Sequence, residues 1–328
     1  MKRYLYGISV RGASHIRKGT ECQDSCRVES LSDSAVVIAA ADGHGSERCP
    51  HSGVGAKIAA EVFCSSMKEI LESFEGDSLM LRSYLSREGN LKIPESIERE
   101  WKRRVLRDHM QERRQPPVGD PDADGPNDAD GLNDTGGLNG AGDPKEVYKL
   151  YGTTLLGLLI TTEFVFAFQI GDGDIVLVSR DGVQYAVESD KILGVETHSL
   201  SSTDAWKKSA ISVFPSPGPD ALPYMFMMST DGMANSHRTQ QEYEKTCMAY
   251  YEAAVRYGFC RVASSLEGWL SETSALGCGD DITMVMAYFD KDGGEAGRPE
   301  AYRRRMRRRR KMARHSASRW NRRRAHCI

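Results

Sequence analysis

The stretch Ser34-Ala-Val-Val-Ile-Ala-Ala-Ala-Asp42-Gly43-His44-Gly45 decides how this chain reads. Its apolar, partly β-branched opening has the length and content of a buried strand. The run then stops on a carboxylate, a glycine, a histidine and a second glycine. A strand that ends this way aims Asp42 at one point from a rigid support. Gly43 and Gly45 carry no Cβ, so a ligand can approach the backbone closely. The Gly43 carbonyl beside the carboxylate makes an oxygen-rich corner suited to Mg²⁺ or Mn²⁺. Asp-Gly is also the commonest hairpin-turn dipeptide, and taken alone this one is a turn.

Repetition argues for more than a turn. Phe164 to Ile170 is an apolar run ending in Gly171-Asp172-Gly173-Asp174, and Met225 to Met228 ends in Ser229-Thr230-Asp231-Gly232. Gly279-Asp280-Asp281 comes just before the strand-like Ile282 to Phe289. Four apolar segments far apart in sequence therefore carry acidic residues at one end, a pattern that a shared metal centre requires and turn chemistry does not. If Asp42, Asp231 and Asp280 converge, they cannot all stay ionised without cations to neutralise them. Hard oxygen donors with no His/Cys set point to Mg²⁺ or Mn²⁺. Two such ions bridged by one carboxylate lower the pKa of a shared water and hold phosphate oxygens for in-line attack. His44, two residues beyond Asp42, is placed to act as general acid for a leaving alkoxide. The chemistry expected is phosphoester hydrolysis without a protein nucleophile.

With 328 residues the chain is long enough for one large domain or two modest ones. No run reaches the ~18–20 apolar residues of a membrane helix, and the N-terminus lacks the pattern of a secretory signal. The 8 cysteines are scattered, and Cys22 and Cys26 have no second pair to complete a zinc site. They read as reduced thiols of a cytoplasmic protein, monomeric by default. The net charge of -2 averages two unlike regions. Residues 298–328 hold 13 Arg and 1 Lys against 1 Glu, which leaves 30 basic and 45 acidic residues in 1–297, a net of about −15.

Taken in order, Gly7 to Gly12 reads as a short strand, Ala13 to Thr20 as a polar loop, and Cys26 to Val28 as a strand turning at Ser32-Asp33 into the run that ends on Asp42. Antiparallel pairing of these segments brings Asp24 near Asp42. Ser52 to about Leu71 has helical spacing with small residues on its early turns. Leu79 to Arg114 reads as one or two amphipathic surface helices whose Arg and Lys form a solvated face. Residues 115–144, rich in Pro, Asp, Gly and Asn, cannot bury a core and read as a disordered acidic insertion. The runs ending at Ile160, Ile170 and Val178 suggest an antiparallel meander, and Asp181-Gly182 a plain hairpin. Ala210 to Phe214 and Tyr224 to Met228 read as strands, 240–257 and 261–271 as helices, and Ile282 to Phe289 as the last strand. Short links without βαβ alternation predict an α+β domain of antiparallel sheets over 1–297, followed by a basic tail, 298–328. Gly171-Asp-Gly-Asp is not followed by a helix, so it is not a phosphate-cradling loop.

The ordered set Asp24, Asp42-Gly43-His44-Gly45, Gly152-Thr153-Thr154, Gly171-Asp172, Ser229-Thr230-Asp231-Gly232 and Asp280-Asp281-Ile282-Thr283 resembles the metal-dependent Ser/Thr protein phosphatases of the 2C type, in their bacterial form. The resemblance covers roughly 7–112 and 146–290. It implies a central antiparallel β-sandwich flanked by helices, two Mn²⁺ or Mg²⁺ ions, a phosphoprotein substrate and a cognate Ser/Thr kinase. By motif match, Asp42 bridges the metals, Gly43 lends its carbonyl, Asp231 and Asp280 complete one ion, Asp24 adds a carboxylate, and Asp172 matches a site for a third. Three positions depart from the family pattern. Gln23 replaces the usual Glu, the usual phosphate-binding Arg aligns with Gly19, leaving Arg17 or Lys18 as substitutes, and Asp281 stands where Asn is usual. Two other readings compete with the enzyme. The Arg-rich tail suits nucleic acid or another acidic partner, and an inactive phosphatase fold would only bind phosphoproteins.

Overall fold

A computed structural model of the protein describes residues 1–114, 143–187 and 198–291. Two five-stranded antiparallel sheets pack face to face. The first carries β2 (Ser25–Ser30), β3 (Ala35–Ala41), β4 (Leu155–Thr161), β5 (Phe164–Ile170) and β8 (Ala210–Pro215), in that spatial order. The second carries β1 (Lys2–Val10), β10 (Ile282–Asp290), β9 (Tyr224–Ser229), β6 (Asp174–Ser179) and β7 (Gly182–Tyr185). Helices α2 (Ser52–Ser73), α3 (Ser78–Glu88) and α4 (Lys92–Arg114) lie against the first sheet, and α7 (Gln240–Tyr257) and α8 (Phe259–Leu276) against the second. The expected α+β sandwich flanked by helices is the observed fold.

Four layers explain why the central strands read as unbroken apolar runs. Each has a partner layer on both faces, so no face is left for polar residues. Ile38, Leu158, Val165, Phe226 and Val285 meet between the sheets. On the outer face of the first sheet, Phe63 of α2 lies over Gly157 and Phe168. Burying side chains of this size stabilises by about 1.5–3 kcal/mol each. Ile93, Ile97, Trp101 and Val105 of α4 are buried at helical spacing, and Trp101 Nε1 donates to the Gly55 carbonyl at 3.0 Å. The α4 region is thus a core helix with one wet side. Its basic residues there pair with neighbours rather than only with water: Arg103 and Arg104 with Glu100, and Lys102 with Glu98.

Three expectations are corrected. Ala13 to Thr20 is not a loop, because Ala13–Lys18 forms a short helix, α1, closed by Gly19 in the left-handed region. At six residues it is below the length that holds by itself, and tertiary bonds hold it in place. The meander is also broken. β4 and β5 pair, but β6 belongs to the other sheet, so Gly171-Asp172-Gly173 is a crossover between sheets and not a hairpin. Finally, the insertion does not extend to 144, since Asp143 caps a helix, α5 (Pro144–Leu150), by accepting from Lys145 N at 3.0 Å. The rest of the insertion and the basic tail lie outside the described residues.

Candidate metal-dependent active site

The strand ends that carry the acidic motifs meet at one end of the sandwich. Ser25 pairs with Ala41, which sets Asp24 beside Asp42 as the antiparallel reading requires. Ser229 pairs with both Met284 and Asp174, bringing the 231, 280 and 172 segments to the same end. Here a cavity of about 390 Å³ is lined by Asp24, Asp42, Gly43, His44, Asp172, Asp231 and Asp280, with Ser14, His15, Lys18, Gly45, Thr154, Asn235, Cys278 and Asp281. Of the two substitutes for the phosphate-binding Arg, Lys18 lines this cavity. Arg17 does not, and its guanidinium lies toward Gly279.

The backbone around Asp42 is fully engaged, which leaves its carboxylate to point into the cavity. Asp42 N donates to Thr154 Oγ1 at 3.0 Å, and its carbonyl accepts from Thr154 N at 2.9 Å and Thr153 Oγ1 at 2.8 Å. His44 N donates to the Gly152 carbonyl at 3.1 Å. The Gly-Thr-Thr motif is therefore the clamp on the Asp-Gly-His turn. Glycine is needed at 152 because a Cβ there would sit 2.6 Å from His44 Cδ2. At Gly43 a Cβ would meet the Gln23 carbonyl at 2.6 Å and Ser52 O at 2.8 Å, so packing against protein, as well as any ligand, demands that glycine.

Asp231 opens a short helix, α6 (Asp231–Asn235), and its Oδ2 accepts from Asn235 Nδ2 at 2.9 Å, one turn on. Asp24 Oδ2 accepts from Thr230 Oγ1 at 2.8 Å, and Thr230 Oγ1 accepts from Thr283 N at 2.9 Å. Asp281 lies at the cavity wall with both oxygens committed to Gly12 N, His15 Nδ1 and Gln23 N.

Charge dominates this cavity. Its lining holds six Asp against one Lys and two His. Burial pushes the Asp24 carboxyl up to about 8, with the Asp281 and Asp231 charges adding to it and the Thr230 bond opposing. Burial also raises Asp42 far above the usual carboxylate range, reinforced by the charges of Asp24, Asp231 and Asp280. Asp231 is raised by burial, with Asp172 and Asp280 contributing.

The donor set fits a hard divalent cation chemically. It is all oxygen, its carboxylates repel one another, and two buried oxygens, Asp231 Oδ1 and Gln23 Oε1, have no hydrogen-bond partner. Among the described residues, no group of three His, Cys, Asp or Glu stands at metal-holding spacing.

Sequence reasoning passed over His15, Asn235 and the anchoring role of Asp281. The one signal available was the four-residue spacing of Asp231 and Asn235 after Ser229-Thr230, a helix start. His15 had none, because its helix is made by tertiary contacts. The expected reduced thiols are consistent with seven free cysteines among the described residues. No helix among the described residues is long and apolar enough to cross a membrane.

The model of the Protein phosphatase 2C family matches residues 11–271. No curated protein matches the sequence. Among solved structures, the serine/threonine phosphatase of S. agalactiae aligns with a TM-score of 0.55 at 14% identity, covering 88% of this chain and 100% of that one. Stp1 of Staphylococcus aureus aligns with a TM-score of 0.53 at 12% identity, covering 89% and 96%. The catalytic domain of PstP, solved with two manganese ions, gives 0.50 at 14% identity, covering 88% and 99%. At these identities the neighbours speak for the fold, while the family match spans most of the sequence. The chain belongs to the protein phosphatase 2C family.

Proposed function

We propose that the protein is a divalent-metal-dependent phosphatase acting on phosphoserine and phosphothreonine in proteins. The observation that carries this reading is one cavity that gathers Asp24, Asp42, Asp172, Asp231 and Asp280 from five separate chain segments, with burial and neighbouring charges raising the carboxyls of Asp24, Asp42 and Asp231. In this reading Asp42, Asp231, Asp280 and the Gly43 carbonyl hold Mn²⁺ or Mg²⁺, Asp24 adds charge, and Asp172 serves a third ion. Bound cations neutralise the carboxylates and activate water at neutral pH. Lys18, at the cavity wall, orients the phosphate as a point charge. His44, held against Gly152, gives a proton to the departing seryl or threonyl oxygen. Asn235 and Thr230 fix the rotamers of Asp231 and Asp24.

The manganese-bound PstP domain supports the cofactor assignment by likeness of fold. We place the enzyme in the cytoplasm as a monomer, opposite a Ser/Thr kinase. The Arg-rich segment 298–328 supplies salt-dependent contact with nucleic acid or another acidic partner. A second reading, phosphoprotein binding without turnover, is favoured by Gln23 in place of a carboxylate.

The test is phosphate release from a phosphothreonine peptide with and without Mn²⁺. Turnover that needs the metal supports the enzyme. A folded protein that binds the peptide but releases no phosphate at millimolar-order Mn²⁺ supports the second reading instead.

A further inference from the structure

One carboxylate, that of Asp281, ties helix α1 and the segment after it to the strand that starts at Ile282. Asp281 is only 4% exposed, and both of its oxygens are occupied. Oδ1 accepts from Gly12 N at 2.6 Å and lies 2.8 Å from His15 Nδ1, while Oδ2 accepts from Gln23 N at 2.7 Å. A carboxylate that already accepts from two amides has no hydrogen to give, so Nδ1 carries the hydrogen it shares with Oδ1. That fixes the ring, and its other nitrogen, Nε2, faces Asp280 Oδ1 at 3.7 Å.

Three further bonds run in parallel with this clamp. Ala13 N donates to Ser274 Oγ at 3.0 Å, and the same hydroxyl donates to the Asp280 carbonyl at 2.8 Å. Ser14 N donates to the Gly279 carbonyl at 2.8 Å. The segment before β2 and the segment before β10 are thus stitched into one corner, and each delivers a cavity aspartate, Asp24 from the first and Asp280 from the second.

We infer that His15 is a positioning residue: by holding Asp281 through Nδ1, it fixes Asp24 through the Gln23 amide and Asp280 through the Asp281 amide, which donates to Asp280 Oδ1 at 2.9 Å, in the arrangement a divalent cation needs. The inference rests on the proposed function and assigns this corner a role within it. A residue that merely anchored a short helix would contribute to stability and leave ion binding unchanged. Partners that orient metal ligands typically change metal affinity by about 10–100-fold when removed.

The test measures Mn²⁺ affinity by calorimetry on the full chain, for wild type, His15→Ala, His15→Asn and His15→Gln. The expected result is a loss of about 10–100-fold in His15→Ala. His15→Asn, whose amide reaches the place of Nδ1, retains most of the affinity. His15→Gln, whose amide reaches the place of Nε2, does not, so the pair decides the matter even if the alanine variant fails to fold. In metal-free protein, Asp281→Asn is expected to speed hydrogen exchange at the Gln23 and Gly12 amides, because an amide cannot accept from all three donors. Affinities of all three His15 variants within twofold of wild type would overturn this inference alone. A wild type that binds no Mn²⁺ would overturn it together with the proposed function.

Discussion

The interface between the two sheets and the cavity at their end are built from the same strands, and they answer to opposite physics. Leu158, Phe226 and Val285 leave water and lose nothing by it, since they carry no group that water was bonding. A residue or two beyond the ends of these strands, Asp24, Asp42 and Asp231 are also partly withdrawn from water, and each is an acid whose ionisation burial and neighbouring carboxylates oppose. The first region stabilises the fold and is indifferent to ions. On the proposed function, the second region destabilises the fold until a cation neutralises it.

The largest expected effect separates the two regions by function. Asp42→Asn keeps the shape of the side chain and removes its charge, so metal-dependent phosphate release should fall by on the order of 10³-fold, measured as kcat/KM. Next comes the packed region. Phe63→Ala opens a hole over Gly157 and Phe168 and should cost about 3–5 kcal/mol in denaturant unfolding, with or without metal. A cost that depended on Mn²⁺ would mean the two regions are not separable.

A pH series sharpens the comparison. The Asp24 carboxyl has its pKa raised from 3.8 to about 8, so below pH 4 it is protonated in both folded and unfolded chains and costs nothing. As pH rises toward 8 the unfolded chain releases the proton while the folded one retains it, and stability is lost across that window. In chelator, Asp24→Asn should therefore match wild type near pH 3 and exceed it by about 5 kcal/mol near pH 8. Equal stability at both pH values would contradict the raised pKa. Smaller again is Lys18→Ala, expected to raise KM for a phosphopeptide about 10-fold with kcat nearly unchanged, as a loss of uniform binding does. Smallest is Glu100→Ala on α4. It removes the partner of Arg103 and Arg104, a mostly exposed network, and should cost under about 1 kcal/mol.

The sequence was legible wherever local pattern and tertiary need agreed. Ala35–Ala41 is apolar because both faces are covered, so its end and Asp42 could be found by reading alone. The β2–β3 hairpin was legible for the same reason, and with it the meeting of Asp24 and Asp42. Helix α7 begins and ends where its periodicity does. Long-range partners were not legible. Asp172 looked like a hairpin tip, yet its segment crosses between sheets, a choice made by which sheet edge β6 meets. Helix α1 has no apolar face to announce it and exists because Asp281 and Ser274, more than 250 residues away, bond its first turn. Sequence alone could name the acidic residues that share a cavity; it could not find the groups that hold them there.

The most direct measurement of the contrast between the two regions is the thermal unfolding of wild type and Asp42→Asn, each in chelator and in Mn²⁺. The variant should melt above wild type in chelator, because a buried acid that ionises only in the unfolded chain is gone, and below it in Mn²⁺, because a ligand is gone. A variant that melts below wild type in both conditions would contradict the claim that these carboxylates are gathered for a cation.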